Sequence, residues 1–274
     1  MPEAIVCTIK TVNERSDAQV IEVFHLLFMQ VLTSHSRDWF ILKGGANLRY
    51  YFDSARYSND INLEFFHKAG WNVEQVVDAA LIGSALKILL SQQGLVIGES
   101  TKPKQIETTR RWKIGLARQN AAGDLIRTKV EFSNRGIGSD DILYETIPSQ
   151  IVDPYAIRPP ALSHYGQAAA LEQKIAALAL RSETKARDIF DLELLLRLRR
   201  AGGVSRGLDL SHAAQAVQNA LEVNYTNFRS EVFPFLDPGV AVLYEGEDNW
   251  GRMRKSVCDE IGALAGASGM GEES

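Results

Sequence analysis

The run Trp39-Phe40-Ile41-Leu42-Lys43-Gly44-Gly45-Ala46-Asn47-Leu48-Arg49, followed by Arg56-Tyr57-Ser58-Asn59-Asp60-Ile61-Asn62-Leu63-Glu64, decides the fold of this chain. Trp39 to Leu42 is a short apolar run that stops at a double glycine, which reads as a buried strand. Asn47 to Phe52 reads as a helix. A second strand begins at Asp60 and carries Asp60, Asn62 and Glu64 on one face, because side chains alternate with a period of two. A glycine turn between strand and helix exposes backbone N–H groups suited to phosphate. Lys43 and Arg49 add positive charge close by, so donors and cations together match a triphosphate. A double glycine is also an ordinary tight turn; its place between strand and helix gives it weight.

Two oxygen ligands two residues apart on a strand lie roughly 6.5–7 Å apart at Cα, close enough to converge on Mg²⁺. Asp60 and Asn62 are such a pair, although an alternating polar face is also what solvent-facing strands show. In Thr128-Lys129-Val130-Glu131-Phe132-Ser133, the residues Lys129, Glu131 and Ser133 share a polar face. A neighbouring strand would bring Glu131 beside Asp60, as a third metal ligand or as the base for an attacking hydroxyl.

Outward from this unit, Ser16-Asp17-Ala18-Gln19 is a capping-box pattern. It opens a helix to about Thr33, with Val20, Val23, Phe24, Leu27 and Val31 at helical spacing. An amphipathic helix is expected over 73–92, stopped by Gly94, then a strand from Leu95 to Gly98. Trp112 to Ala117 and Leu125 to Ser133 read as a hairpin turning through 120–124. Pro154, Pro159 and Pro160 then change the texture of the chain. Helices are expected over 165–181, 184–200, 210–222 and 252–265. The predicted domains are 1–155 and 156–265, with a disordered tail over 266–274.

In the helical half, Lys174, Leu178 and Arg181 fall along one helix face. Such a lysine ordinarily snorkels to solvent. Arg187 and Asp191 have the spacing of a helix salt bridge, while Asp188 is free to orient Lys174 or Arg181 toward a nucleotide. Lys102, Lys104, Arg110, Arg111, Lys113 and Arg118 surround Trp112, with only Glu107 opposing them. Basic residues with an aromatic grip a nucleic-acid backbone and stack an unpaired base; a solvated hairpin has the same composition, and both readings stay open.

The chain has 274 residues, enough for one large or two modest domains. With 45% hydrophobic and 23% charged residues it has the balance of a soluble folded protein. It lacks a membrane-spanning run, and Met1-Pro2-Glu3-Ala4-Ile5 is unlike a signal peptide. Cys7 and Cys258 are sparse, so a reduced, cytoplasmic location is expected. A net charge of −4 excludes a generic polyanion binder, so an RNA partner needs a local basic patch.

Four blocks in order resemble the AbiEii/AbiGii toxin family of nucleotidyltransferases. They are Lys43-Gly44-Gly45-Ala46-Asn47-Leu48-Arg49, Arg56-x-Ser58-x-Asp60-Ile61-Asn62-Leu63, Lys174 through Ala177-Leu178 to Arg181, and Arg187-Asp188-Ile189-Phe190-Asp191-Leu192. The resemblance implies an α/β (α+β) minimal nucleotidyltransferase fold, akin to DNA polymerase β, with a C-terminal helical domain. It implies a toxin of a bacterial toxin–antitoxin or phage-defence system, with a cognate antitoxin, that transfers nucleotides from an NTP to an RNA, the 3′ end of tRNA above all. By the same resemblance Gly44, Gly45 and Ser58 hold the triphosphate and Asp60 the Mg²⁺, with Glu131 matching the family's later strand acid; the charges of Lys43, Arg49 and Arg181 add nucleotide-binding candidates, and Asn62 a further metal-ligand candidate. Lys174 and Asp188 match the helical-domain pair needed for activity, with the NTP expected between sheet and helices. The family pattern reads Asp-x-Asp where this chain has Asp60-Ile61-Asn62. An amide ligates Mg²⁺ through its carbonyl oxygen but adds no charge. Two further readings therefore stand beside the first: a catalytically silent nucleotide-binding regulator, and an enzyme that modifies a protein or small molecule.

Overall fold

Ser16 and Gln19 close a reciprocal cap: the Gln19 N–H donates to Ser16 Oγ at 3.3 Å and the Ser16 N–H to Gln19 Oε1 at 3.0 Å. From this cap runs α1 (Asp17–His35), in a computed structural model that describes residues 11–35, 39–65, 72–106, 108–119, 123–134, 141–202 and 207–269. Val20, Ile21, Val23, Phe24, Leu26, Leu27, Phe28, Met29, Val31 and Leu32 are all buried. The sequence predicts one apolar stripe; the helix is instead apolar on nearly every side, which is the signature of an enclosed helix. Each such Leu, Phe or Val contributes about 1.5–3 kcal/mol when fully removed from water.

The chain then alternates between strand and helix: β1 (Phe40–Lys43), α2 (Gly44–Tyr51), β2 (Asp60–Phe65), α3 (Val73–Ile82) and α4 (Ser84–Gln92). Next come β3 (Leu95–Ser100), β4 (Lys104–Ile106), β5 (Thr109–Arg118), β6 (Ile126–Ser133), β7 (Ile142–Thr146), α5 (Ser149–Val152) and β8 (Ala161–Tyr165). The sheet runs β3-β5-β6-β2-β1-β8-β7, with β4 also paired to β5. It is mixed: β2 lies parallel to β6 and β1 parallel to β8, whereas β1–β2, β3–β5, β4–β5 and β5–β6 are antiparallel. Ile61, Leu63, Trp112, Ile114, Val130 and Phe132 are buried on the apolar face, where Trp39 stacks on Phe132 with ring centroids 5.4 Å apart.

Three expectations change here. The helix expected at 47–52 starts at Gly44, directly from the strand. The helix expected over 73–92 is two helices, because Gly83 adopts an extended ψ of 151° and breaks the ladder; a Cβ on it would sit 2.7 Å from the Ala79 carbonyl oxygen. The prolines around 154–160 conceal β8, which returns to the sheet beside β1. Residues 1–10 with Cys7, Glu107 and residues 120–122 of the expected turn lie outside the described residues.

By its contacts the chain divides into two units, Met1–Tyr51 with Tyr57–His164, and Phe52–Arg56 with Tyr165–Ser274. The second unit is helical: α6 (Gln167–Leu180), α7 (Ala186–Arg200), α8 (Ala213–Glu222), α9 (Tyr225–Glu231), α10 (Pro238–Ala241) and α11 (Glu247–Gly269). Its aromatic core stacks Phe228 on Trp250 at 4.7 Å and packs Phe190 against Phe228. An Asn224–Asn227 capping box starts α9, a short helix the apolar spacing does not reveal. Residues 266–269, expected in the tail, continue α11; the remainder of that tail lies outside the described residues. No described helix is long and apolar enough to cross a membrane.

Candidate active site

Strand register builds the site. Asp60 lies opposite Lys129, Asn62 opposite Glu131 and Glu64 opposite Ser133 across the parallel β2–β6 pair. Lys43 lies opposite Asn62 on the other side of β2. Side chains at paired positions share a face, so Lys43, Asp60, Asn62, Glu64, Lys129, Glu131 and Ser133 form one polar face on the reverse of the core. Its carboxylates meet cations from neighbouring strands. Glu64 pairs with Lys43 at 2.9 Å, Asp60 with Lys129 at 3.6 Å and Glu131 with Arg111 at 2.5 Å. Lys43 also donates to Ser133 Oγ at 2.6 Å. Glu64 is thus a buried counter-ion for Lys43 beside the Asp60–Asn62 pair.

The glycine turn stands against this face. Gly44 has φ +71°, a left-handed conformation that favours glycine, and a Cβ built on it would lie 3.4 Å from Asn62 Nδ2. The N-terminus of α2, whose first backbone N–H groups have no partner within the helix, therefore begins beside Asn62. Ser58 donates to the Asp60 carbonyl oxygen at 2.7 Å and so shapes the entry to β2. Arg49 is held by Glu22 at 2.8 Å and lies 4.3 Å over the Tyr57 ring. Burial alone would lower the Arg49 pKa; the Glu22 carboxylate outweighs it and holds it above its ordinary value. Glu22 also accepts from the Tyr155 hydroxyl at 2.7 Å.

A second support was missed in the sequence reading. Thr128 Oγ1 donates to the Asn59 carbonyl oxygen at 2.7 Å, so its oxygen accepts from His25 Nε2 at 2.9 Å. His25, fully enclosed on α1, is thereby neutral with its proton on Nε2; burial pushes its pKa down to about 3. The chain His25–Thr128–Asn59 ends one residue before Asp60. The signal for it was a histidine inside an apolar helix and a threonine on the apolar face of its strand.

As a metal site the face is lean. Among the described residues no three His, Cys, Asp or Glu side chains are arranged to ligate an ion unaided. Asp60, Asn62 and Glu131 nonetheless fit Mg²⁺, which keeps several waters and takes one or two carboxylates together with substrate phosphates.

The basic segment divides between the two faces. Arg111 and Lys113 lie opposite Glu131 and Lys129, and Lys104 lies opposite Arg111, all on the polar face. Arg110 and Trp112 lie opposite Phe132 and Val130, on the apolar side. Arg110 pairs with Glu74 at 2.6 Å. Trp112 is fully buried and its Nε1 donates to Asp78 at 2.7 Å, so it packs the core and presents no surface to a base. Arg118 reaches Asp17 at 2.9 Å, and Lys102 is exposed just before β4.

In the second unit Lys174, Arg181, Asp188 and Asp191 come together, joined by Arg56. Lys174 bridges Asp188 at 2.9 Å and Asp191 at 2.6 Å. Arg181 reaches Asp188 at 3.1 Å, and Arg56 grips both oxygens of Asp191 at 3.0 and 2.9 Å. Both aspartates are completely buried. Burial tends to raise the Asp191 pKa, and the charges of Arg56 and Lys174 outweigh it and hold the carboxyl below its usual range. Asp191 thus pairs with Arg56 and Lys174, where helix spacing alone suggested Arg187.

The sequence profile of the family described as nucleotidyl transferase AbiEii toxin, type IV TA system, matches residues 25–257. Among solved structures the chain is similar to JHP933 from Helicobacter pylori, at 15% identity over 89% of this chain and 95% of that one, TM-score 0.50. It is similar to a second H. pylori structure, solved as a candidate nucleotidyltransferase, at 15% identity over 88% and 96%, TM-score 0.53. It also matches MenT4, a nucleotidyltransferase toxin from Mycobacterium tuberculosis, at 17% identity over 92% and 96%, TM-score 0.49. A search of curated proteins gives no match. The mixed sheet with its C-terminal helical region is a nucleotidyltransferase-like fold.

Proposed function

The chain belongs to the AbiEii nucleotidyl transferase toxins of type IV toxin–antitoxin systems, and from that premise we propose that it transfers a nucleoside monophosphate from an NTP to an RNA 3′ end, with Mg²⁺ bound at Asp60. One observation carries this reading: Gly44, at the phosphate-ready start of α2, lies against Asn62 on the face that holds Asp60 and Glu131. The Gly44 and Gly45 turn takes the triphosphate through backbone N–H groups. Ser58, fixed on the Asp60 carbonyl, keeps oxygen lone pairs for a hydrogen-bond donor and shapes the loop beside the phosphates. Asp60 and Asn62, with Glu131 next to them, would hold the ion, which supplies charge neutralisation on the phosphate oxygens. Glu131 takes the proton of the acceptor hydroxyl. The hydroxyl oxygen bonds to the α-phosphorus, the bond from that phosphorus to the bridging oxygen breaks, and pyrophosphate leaves. Lys174 and Asp188 are assigned to activity on the family pattern; their mutual ion pair supports a shared role. A cognate antitoxin partner follows from the family's type IV class.

The test is acceptor partition. The protein is incubated with each α-labelled NTP, Mg²⁺, total RNA and cell protein, and the label is recovered by fraction. Label in RNA supports the reading; label in protein or small molecules alone replaces the acceptor. A second reading has its own observation, Asn62 in place of a second aspartate. If neither the wild type nor Asn62→Asp transfers label while both bind NTP, the protein is a nucleotide-binding regulator.

A further inference from the structure

The register assigns Lys104, Arg111, Lys113 and Lys129, on β4, β5 and β6, to two neighbouring rows on the site face. Asp60, Lys129 and Lys113 follow one another across β2, β6 and β5; Asn62, Glu131, Arg111 and Lys104 follow across β2, β6, β5 and β4. Neighbouring strands lie about 4.8 Å apart, so the rows lead away from Asp60 and Asn62 in steps of that size, the first to β5 and the second to β4. Lys113 and Lys104 are exposed, and the Lys129 side chain is 39% exposed. The whole chain carries −4; along these rows Lys129 stands by Asp60 and Arg111 by Glu131, and Lys113 and Lys104 add exposed positive charge beyond those pairs.

The geometry points to a track for the sugar–phosphate backbone of the acceptor: Lys104, Arg111, Lys113 and Lys129 hold a single-stranded RNA segment whose 3′ end reaches Asp60. This rests on the RNA-acceptor reading above and specifies its surface. Charge complementarity selects a polyanion as the occupant. The buried position of Trp112 leaves phosphate contact, not base stacking, as the source of affinity, so binding is insensitive to base identity and sensitive to salt. Arg110 belongs to the same stretch of sequence but sits on the other face with Glu74, so it takes no part.

The experiment uses the full chain and a fluorescein-labelled single-stranded RNA of mixed sequence, with anisotropy read across a KCl series in Mg²⁺-free buffer. Each cation that contacts a phosphate contributes about 0.7 to the slope of log affinity against log salt. Lys104→Gln and Lys113→Gln are each expected to reduce the slope by about 0.7, and the pair by about 1.4. Lys113→Arg restores the slope, and Arg110→Gln leaves it at the wild-type value. Unchanged slopes in the lysine variants, or an equal drop in Arg110→Gln, overturn the track while the RNA reading stands. A wild-type protein that does not bind the RNA removes the acceptor reading, and the track with it.

Discussion

His25 shows how one side chain sets the behaviour of its surroundings. Its imidazole is enclosed, donates to Thr128 and has a pKa near 3, whereas an unfolded histidine titrates near 6.5. Between those values the unfolded chain binds a proton that the folded chain does not, so this contribution to stability is complete above about pH 6.5 and declines as pH falls. The slope is up to about 1.4 kcal/mol per pH unit. In a His25→Gln variant, urea denaturation from pH 6.5 to 4 should lose that slope; an unaltered slope would show that His25 titrates freely. Asn62 makes the second prediction at this scale. Asn62→Asp places a carboxylate opposite Glu131 and two residues from Asp60, and Mg²⁺ prefers carboxylate oxygen. Calorimetric titration should give tighter Mg²⁺ binding than wild type, by about tenfold if one added charge contributes about 1.4 kcal/mol. Equal affinities would place the ion elsewhere.

At the scale of elements, the second unit is fastened by α6 and α7. Lys174 on α6 serves two aspartates one turn apart on α7, and Arg56 and Arg181 complete the cluster. Removing Lys174 leaves two buried carboxylates short of charge. Breaking a buried pair costs about 3–5 kcal/mol, and Lys174→Ala belongs at the lower end because both arginines remain. Urea denaturation checks this, and a loss below about 1 kcal/mol, the range of surface pairs, would contradict it. The same elements show what is legible in a sequence. The strand–glycine–helix–strand unit was readable because its apolar period switches at Gly44, and Glu131 was readable because its strand alternates. The pairing of Asp191 was not: Arg56 lies far from it in sequence, and only tertiary folding brings the two together. Gly83 was misread because one glycine inside an apolar repeat is compatible with a continuous helix. Trp112 looked like a stacking platform because its basic neighbours conceal that it points to the other face.

For the whole molecule, the proposed function asks an acidic chain to meet a polyanionic substrate with a glycine turn, a face of few carboxylates and the cations of β4, β5 and β6. The proposed reading assigns the metal to Asp60, which lies 3.6 Å from Lys129 on the face that also carries the Glu131–Arg111 and Glu64–Lys43 pairs. The most direct measurement is Mg²⁺-dependent transfer from α-labelled NTP to RNA by wild type and by Asp60→Ala, with circular dichroism showing both folded. The account predicts transfer by the wild type and a fall of at least about 100-fold in Asp60→Ala. Equal labelling by the two proteins would contradict it.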